Sequence, residues 1–155
     1  MEFINPIILE RAYLSLQKQV TFSEEKQFIA ARSKALGKKQ EALIVLLDDE
    51  GNLCGNCNIR KGTLTGDAHN VEFGLAIAKQ HRGKGFGRLL LQKAISFSKK
   101  RFKAKNIWIS YVEGNNNARR LYEKSGFVEV ARLRNYHLHY GKYRDKVMME
   151  YGGRK

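Results

Sequence analysis

The sequence of 155 residues has no long apolar stretch and contains only one proline and two cysteines. No apolar run approaches the roughly 20 residues that a helix needs to span a bilayer. The N-terminus lacks the basic flank, apolar centre and small-residue cleavage site of a signal peptide. Two cysteines are too few for a disulfide framework. These absences argue against membrane-spanning and disulfide-rich secreted classes, and we expect a cytoplasmic protein without membrane association.

The sequence also contains no internal repeat and no low-complexity segment, which leaves little room for a linker between domains. Its length allows one sizeable hydrophobic core but is short for two. Hydrophobic residues make up 43% of the chain, a fraction typical of globular rather than disordered proteins. We therefore expect residues 1–155 to form a single domain.

Acidic residues are scarce: 15 Asp and Glu stand against 29 Lys and Arg, for a net charge of +14. Such a balance favours an anionic partner, which includes nucleic acid, membrane headgroups and phosphorylated small molecules. Charge alone does not rank these partners. The densest basic run, at residues 99–105, is typical of a solvated helix end, where cations also suit the helix dipole.

Metal-binding motifs are also absent. Cys54 and Cys57 form a CxxC pair, but no second pair completes the four ligands of a structural zinc site, and the four histidines are remote in sequence. Residues three apart in a strand point to opposite faces, which disfavours a local disulfide. The sequence therefore predicts no metal, and both cysteines are interpreted as small buried apolar residues.

Hydrophobic periodicity predicts four helices and six strands. The helices are predicted at 1–18, from Thr21 or Ser23 to 36, at 86–100 and at 115–125; the strands are predicted as two within 42–62, then at 71–77, 106–112, 127–138 and 142–151. This order predicts an α+β, or mixed α/β, domain with a largely antiparallel sheet.

Residues 82–87, RGKGFG, form a glycine-rich segment directly before a predicted helix. The segment lacks the GK[ST] of a P-loop, and its GxGxG spacing differs from the GxGxxG of dinucleotide-binding proteins. A glycine loop at a helix start nevertheless directs free backbone N–H groups and the helix dipole at one point, where an anion binds. Arg82, Lys84 and Arg88 add charge, so a pyrophosphate would suit the loop. Taken alone, the loop is also compatible with an ordinary turn.

The strand VEFGLAI before the loop has two different faces. One face carries Glu72 with the small residues Gly74 and Ala76, and it leaves room for a ligand along the strand. The alternative is a solvent-exposed face with an ordinary glutamate. Further on, Asn115 is a favourable start for a helix that Gly126 would end.

Two of these segments resemble motifs of the GCN5-related N-acetyltransferase (GNAT) superfamily. RGKGFG matches the pattern [RQ]-x-x-G-x-[GA], and NNNARRLYEKSGF at 115–127 matches N-x-x-A-x-x-L-Y-x-x-x-G-F at every named position. The resemblance extends over about residues 42–150. It implies the acyl-CoA N-acyltransferase fold, in which a mostly antiparallel sheet flanked by helices is splayed between two central strands to admit acetyl-CoA.

The resemblance also implies an N-acetyltransferase activity with acetyl-CoA as co-substrate, no metal, and a small-molecule or peptide amine as acceptor. Backbone N–H groups of the glycine loop would bind the CoA pyrophosphate, and 75–77 would hold the pantetheine and polarise the thioester carbonyl. Tyr122 would protonate the departing thiolate as general acid. The implied cofactor-binding residues are Leu75, Ala76, Ile77, Arg82, Gly83, Lys84, Gly85, Phe86, Gly87 and Asn115.

An amine attacks a thioester only when it is unprotonated, and amines of the α type have a pKa near 8, those of the lysine type near 10.4. A general base is therefore useful, directly or through water. Glu72 is our candidate for that base, because its strand face looks toward the implied thioester position.

The two ends of the chain bear on the acceptor. The N-terminal MEFINPIILERA does not resemble the family's first strand, so that strand is divergent or missing. The stretch 127–151, with G-x-Y-x-D-x-x-x-M, resembles a subgroup that acetylates protein N-termini, amino sugars and related amines. Two alternatives stay open: a catalytically silent module of this fold that binds nucleic acid, and a homodimer.

Overall fold

The computed structural model describes residues 3–14, 17–24, 27 and 40–153. Apart from a few helical residues at 22–24 and 27, the described residues form three helices and six strands in the chain order helix, three strands, helix, strand, helix, two strands. They are α1 (Ile4–Leu9), β1 (Glu41–Leu47), β2 (Leu53–Lys61), β3 (Asn70–Ile77), α2 (Phe86–Phe97), β4 (Asn106–Val112), α3 (Asn116–Lys124), β5 (Phe127–His139) and β6 (Lys142–Tyr151). A 3₁₀ turn at Lys79–His81 precedes α2, and a π-helical turn at Ser98–Phe102 ends it.

The six strands form one sheet in the order β1-β2-β3-β4-β6-β5. Every neighbouring pair is antiparallel except β3 and β4, which are parallel and are connected through α2. The parallel pairing runs only from Asn70–Asn106 to Phe73–Ile109. Beyond that point β3 continues to Ile77 and β4 to Val112 without pairing with each other, so the sheet opens between its two central strands.

The predicted mixed α/β fold with a mostly antiparallel sheet is confirmed. Because strand side chains alternate between faces, one face of the sheet buries Cys57, Ile59, Val71, Phe73, Ile107, Ile109, Val147 and Met149. Helix α2 lies against this face through Leu90, Leu91, Ala94 and Ile95, the apolar positions of its helical period.

Phe127 lies at the centre of an aromatic group within this core. It is 1% exposed, and its ring contacts Phe73, Tyr122 and Tyr151 at centroid distances of 6.5, 6.2 and 5.4 Å. These neighbours come from β3, α3 and β6, so one side chain connects both halves of the opened sheet.

The N-terminal region differs from the prediction. The helix predicted over 1–18 is wrong beyond Leu9, because Arg11 adopts a left-handed φ of 55° that stops it. Contacts with the β5–β6 hairpin hold both α1 and the segment after it. The Tyr140 hydroxyl donates to the Ile8 carbonyl at 3.1 Å, and the Tyr13 ring stacks on the His139 ring at a centroid distance of 4.7 Å. Tertiary contacts here outweigh the local helical periodicity.

The second predicted helix lies largely outside the described residues, of which 22–24 are helical. Its start is confirmed, since Thr21 and Glu24 form a reciprocal cap with backbone-to-side-chain distances of 2.8 and 3.3 Å. No described residue ahead of β1 belongs to a strand. The described part of the chain also contains no helix whose length and hydropathy would let it cross a membrane.

Replacing Phe127 by alanine should lower the free energy of unfolding by about 3–5 kcal/mol, because it removes the aromatic centre of the core and leaves a cavity. Urea denaturation followed by circular dichroism measures this change. Tyr143→Ala is the matched control, since that ring is 68% exposed and its loss should cost less than about 0.5 kcal/mol. Similar losses in both variants would contradict the assignment of Phe127 to the core.

Candidate active site

The end of β3 presents to the opening in the sheet backbone groups that no neighbouring strand pairs. The Ala78 N–H donates to the Cys54 carbonyl at 2.9 Å, which makes this pair a hydrogen-bonded one of the β2–β3 ladder. Because such pairs alternate along an antiparallel ladder, the backbone of Ala76 also faces β2. The backbone groups of Leu75 and Ile77 consequently face the opening, where β4 no longer pairs with them.

The glycine loop lies at the N-terminus of α2. Gly83 and Gly85 have φ values of 75° and 85°, a region that strains any residue with a side chain. Gly87 has a different role: a Cβ there would lie 2.8 Å from the Leu121 Cδ2 of α3, so the leucine side chain would have to shift. The glycines therefore shape the loop and let the two helices approach, with the free N–H groups of the first turn of α2 at the loop.

Helix α3 begins beside this loop and presents Tyr122 to the interior. The Asn115 Oδ1 accepts a hydrogen bond from the Ala118 N–H at 3.1 Å, so Asn115 is the N-cap, and Gly126 with φ 91° follows the C-cap. Tyr122 is 5% exposed, and among the described residues no hydrogen bond engages its hydroxyl. Burial raises the pKa of Tyr122, and the neighbouring Cys57 adds to the shift, so the phenol keeps its proton.

A cavity of about 1310 Å³ connects these features. It extends between the N-termini of α2 and α3, through the opening between β3 and β4, to the N-terminal segment and strand β5. The predicted site residues that line it are Glu72, Leu75, Ala76, Ile77, Arg82, Gly83, Gly85, Gly87, Asn115 and Tyr122.

Two predicted residues of the loop do not line the cavity. Lys84 is exposed on the outer side, and Phe86 lies against the His81 ring at 6.3 Å between centroids. Arg82 lines the cavity, but its guanidinium is held elsewhere: it forms an ion pair with Glu10, and its Nε donates to the Ile77 carbonyl at 2.9 Å. The charge of Arg82 is therefore partly neutralised by the N-terminal segment.

Glu72 extends into the cavity on the sheet face opposite the core. Its carboxylate lies 3.8 Å from the Lys146 Nζ, and the two side chains are 46% and 19% exposed. Lys146 in turn lies 5.1 Å above the centre of the Tyr136 ring. The carboxylate predicted as a base is thus already paired with a cation from β6.

Arg88, which was expected to add charge at the loop, also lines the cavity. Several other cavity residues have no counterpart among the predicted site residues; they are chiefly Arg60, Arg120, Tyr136, His137 and Lys146. His137 is half-buried, and burial, Lys146 and His139 together lower its pKa, so its imidazole is neutral at pH 7. His137 and His139 share a face of β5 because side chains alternate along a strand, but the local sequence does not show which element covers that face.

A family comparison agrees with this geometry. The sequence pattern of the acetyltransferase (GNAT) family matches residues 9–127, more than half of the chain. The chain belongs to that family. As a member it is an N-acetyltransferase, and the predicted enzyme class is confirmed.

Individual relatives act on different amines. Spermidine N(1)-acetyltransferase of Vibrio cholerae is 26% identical over 149 residues, which are 96% of this chain and 85% of the relative. Its solved structure with CoA and spermine gives a TM-score of 0.78 at 27% identity, covering 94% of this chain and 81% of the other. The ribosomal protein bS18-alanine N-acetyltransferase of Haemophilus influenzae is 45% identical over 65 residues, 42% of this chain and 43% of the relative. None of these proteins supports the nucleic-acid alternative.

The imidazole of His137 should titrate below the ordinary histidine value of about 6.5. Lys146→Gln should move the midpoint upward, because a neighbouring positive charge that disfavours the imidazolium is removed. Nuclear magnetic resonance titration of the ring protons measures both midpoints.

The lowered pKa of His137 also determines how its contribution to stability changes with pH. With the pKa lowered in the folded chain, the unfolded chain binds more protons below about pH 6.5, so this contribution to stability falls as the pH is lowered. A midpoint that is unchanged in Lys146→Gln would contradict the proximity of the two side chains in solution.

Proposed function

We propose that the chain transfers the acetyl group of acetyl-CoA to the α-amine of an amino acid or a peptide, by direct attack of the amine in a ternary complex. The observation that carries the proposal is the single cavity that joins the glycine loop to Tyr122 and Glu72 through the opened sheet. Acetyl-CoA supplies the acetyl group as an activated thioester.

The residues that would bind acetyl-CoA fit its chemistry. The N-termini of α2 and α3 both border the cavity and favour phosphate groups through free N–H groups and helix dipoles. Arg88 and Arg120 line the same region, and among the described residues no ion pair engages either of them. The opening beside Leu75 and Ile77 leaves backbone donors for an amide-containing arm and for a thioester oxygen.

Tyr122 is proposed as the group that donates to the departing thiolate. Its phenol lines the cavity, stays protonated because burial raises its pKa, and has no hydrogen bond within the described residues that would compete for its proton. Asn115 caps α3 with its Oδ1 and so fixes the helix on which Tyr122 stands. We propose that the side-chain amide of Asn115 also contacts acetyl-CoA.

The candidate bases favour an α-amine over a more basic amine. The carboxylate of Glu72 is already paired with Lys146, and the lowered pKa of His137 makes its imidazole a weaker base than an ordinary histidine. An α-amine with a pKa near 8 needs little help to lose its proton at neutral pH, whereas a polyamine nitrogen near 10.4 needs much more. Glu72 and His137 are therefore the two groups proposed to accept the amine proton.

The charges of the cavity lead to the same acceptor class. Among the described residues, its lining holds five Lys and Arg side chains but a single carboxylate, that of Glu72. A polyamine carries several positive charges and would need more carboxylates than this lining offers. The relative that acetylates a ribosomal-protein alanine also acts on an α-amine, although the match to it covers only part of the chain.

Tyr122→Phe should lower kcat by about 100-fold or more and leave the affinity for acetyl-CoA within about twofold, because only the proton donor is removed. A thiol-release assay measures kcat, and calorimetry with acetyl-CoA measures binding. Tyr136→Phe is the matched control, a cavity tyrosine that is 57% exposed. An unchanged kcat in Tyr122→Phe would remove Tyr122 as the acid, and no acetyl-CoA binding by the wild type would overturn the proposed function.

An alanine-initiated peptide and free alanine should each be acetylated with a kcat/KM at least tenfold above that of spermidine. The reason is that the described lining of the cavity holds a single carboxylate, which Lys146 already pairs, and that the pKa of His137 is lowered. The thiol-release assay with all three amines at one pH and ionic strength makes the comparison. Preference for spermidine would overturn the α-amine assignment while leaving acetyl transfer intact.

A further inference from the structure

Three side chains with metal-binding atoms converge just ahead of the glycine loop. Asp48 follows β1, Cys54 lies in β2, and His81 ends the 3₁₀ turn before Arg82. The carboxylate oxygen, the thiol sulfur and the imidazole nitrogen all lie within 4.8 Å of one another. Cys54 is 2% exposed, while Asp48 and His81 are half-buried, so the group has both a protected and an accessible side.

The three side chains form few bonds with one another. Among the described residues, no ion pair joins any two of them, and no hydrogen bond joins the Asp48 carboxylate to the Cys54 thiol or to the His81 imidazole. The Cys54 Sγ interacts weakly with the Asn52 carbonyl at 3.6 Å and with the backbone of Asp48. The carboxylate and the imidazole therefore lie beside the sulfur without a hydrogen bond to it.

Neighbouring groups orient the carboxylate of Asp48. Its Oδ1 accepts from the Asn52 N–H at 2.7 Å and the Glu50 N–H at 3.1 Å, and its Oδ2 accepts from the Asn52 Nδ2 at 3.1 Å. Each oxygen has two lone pairs, so Oδ2 keeps one for a further ligand. Hydrogen bonds that hold a ligating carboxylate in this way are usual around metal ions.

The backbone fixes the other two residues relative to each other. The Cys54 carbonyl accepts from the Ala78 N–H at 2.9 Å, and the Ala78 carbonyl accepts from the His81 N–H at 2.9 Å. Ala78 thereby connects β2 directly to the turn that carries His81. The three ligands are anchored to one rigid corner of the fold.

The donor set suits zinc. A thiolate, an imidazole and a carboxylate are all zinc ligands, and three protein ligands with one water complete a tetrahedron. With zinc bonds of about 2.0–2.3 Å, ligand atoms in a tetrahedron lie about 3.4–3.6 Å apart. The three ligand atoms here lie within 4.8 Å of one another, so side-chain rotations that displace them by about 1 Å would close the site around an ion.

We propose that Asp48, Cys54 and His81 bind a zinc ion that fastens the β1–β2 hairpin to the start of the glycine loop. This site revises the expectation from sequence that the chain has no metal. One of its ligands, His81, also lines the cavity, but zinc binding does not depend on the proposed function. Because His81 directly precedes Arg82, a bound ion would restrict the loop.

The test is a zinc titration of the metal-free full chain in competition with a chromogenic chelator. The wild type should bind one equivalent, and Cys54→Ser and His81→Gln should each weaken the affinity at least tenfold. His69→Gln is the matched control, since His69 is exposed and outside the cluster, and its affinity should equal that of the wild type. No binding by the wild type, or equal affinity in all variants, would overturn the proposal.

Cobalt provides a second readout that does not require the Cys54→Ser variant to fold. Cobalt(II) added to the metal-free wild type should produce a thiolate-to-cobalt charge-transfer band and the intense visible absorption of a four-coordinate site. A spectrum with only the weak bands of six-coordinate cobalt would exclude the cysteine as a ligand and overturn the site. Neither readout involves acetyl transfer, so the outcome is independent of the proposed function.

Discussion

The parting of β3 from β4 is the constraint on which the site depends. Parallel pairing stops after Phe73 and Ile109, and the backbone groups of Leu75 and Ile77 then face a cavity instead of a neighbouring strand. Unpaired groups inside a sheet cost free energy unless water or a ligand satisfies them. A ligand with amide groups that lies between the strands would replace the missing hydrogen bonds of the ladder. The same break in strand pairing therefore shapes the sheet and creates the binding site.

The opening is maintained by packing on either side of it. Phe127 contacts rings from β3, α3 and β6 and so connects the two halves of the sheet. The absence of a side chain at Gly87 lets α2 approach Leu121 of α3. Both helices consequently begin at the cavity. Their N-termini add a favourable field for phosphate to the mouth of the opening. The proposed acid Tyr122 lies on the second of these helices, about two turns after its N-cap Asn115.

The local pattern of the sequence was enough to predict much of this arrangement. All six strands, α2 and α3 were predicted, because each has a clear hydrophobic period and recognisable caps such as Asn115 and Gly126. The N-terminal helix was overestimated, since its continuation is decided by contacts with Tyr140 and His139 from the far end of the chain. Those contacts have no local signature.

The same limit applies to charge pairs and ligand clusters. Glu10 on Arg82, Lys146 on Glu72, and His81 beside Asp48 and Cys54 all join residues distant in sequence. The CxxC pair alone predicted no metal, whereas the folded chain places one of those cysteines beside Asp48, across the β1–β2 turn, and beside the remote His81. Spacing rules detect ligands supplied by one segment and miss those that separate turns bring together.

The net charge of +14 is divided between different tasks. Arg88 and Arg120 at the helix N-termini have no ion pair within the described residues and suit phosphate, whereas Lys146 in the deeper part of the cavity has an acidic partner. The run of lysines and Arg101 in the π-helical turn is exposed and outside the cavity, so it contributes only a long-range field. Such a field attracts any anion at low salt and is screened within about 8 Å at physiological ionic strength. Specificity for the two substrates must therefore come from the cavity, where a few charged side chains have fixed positions and some of them are paired.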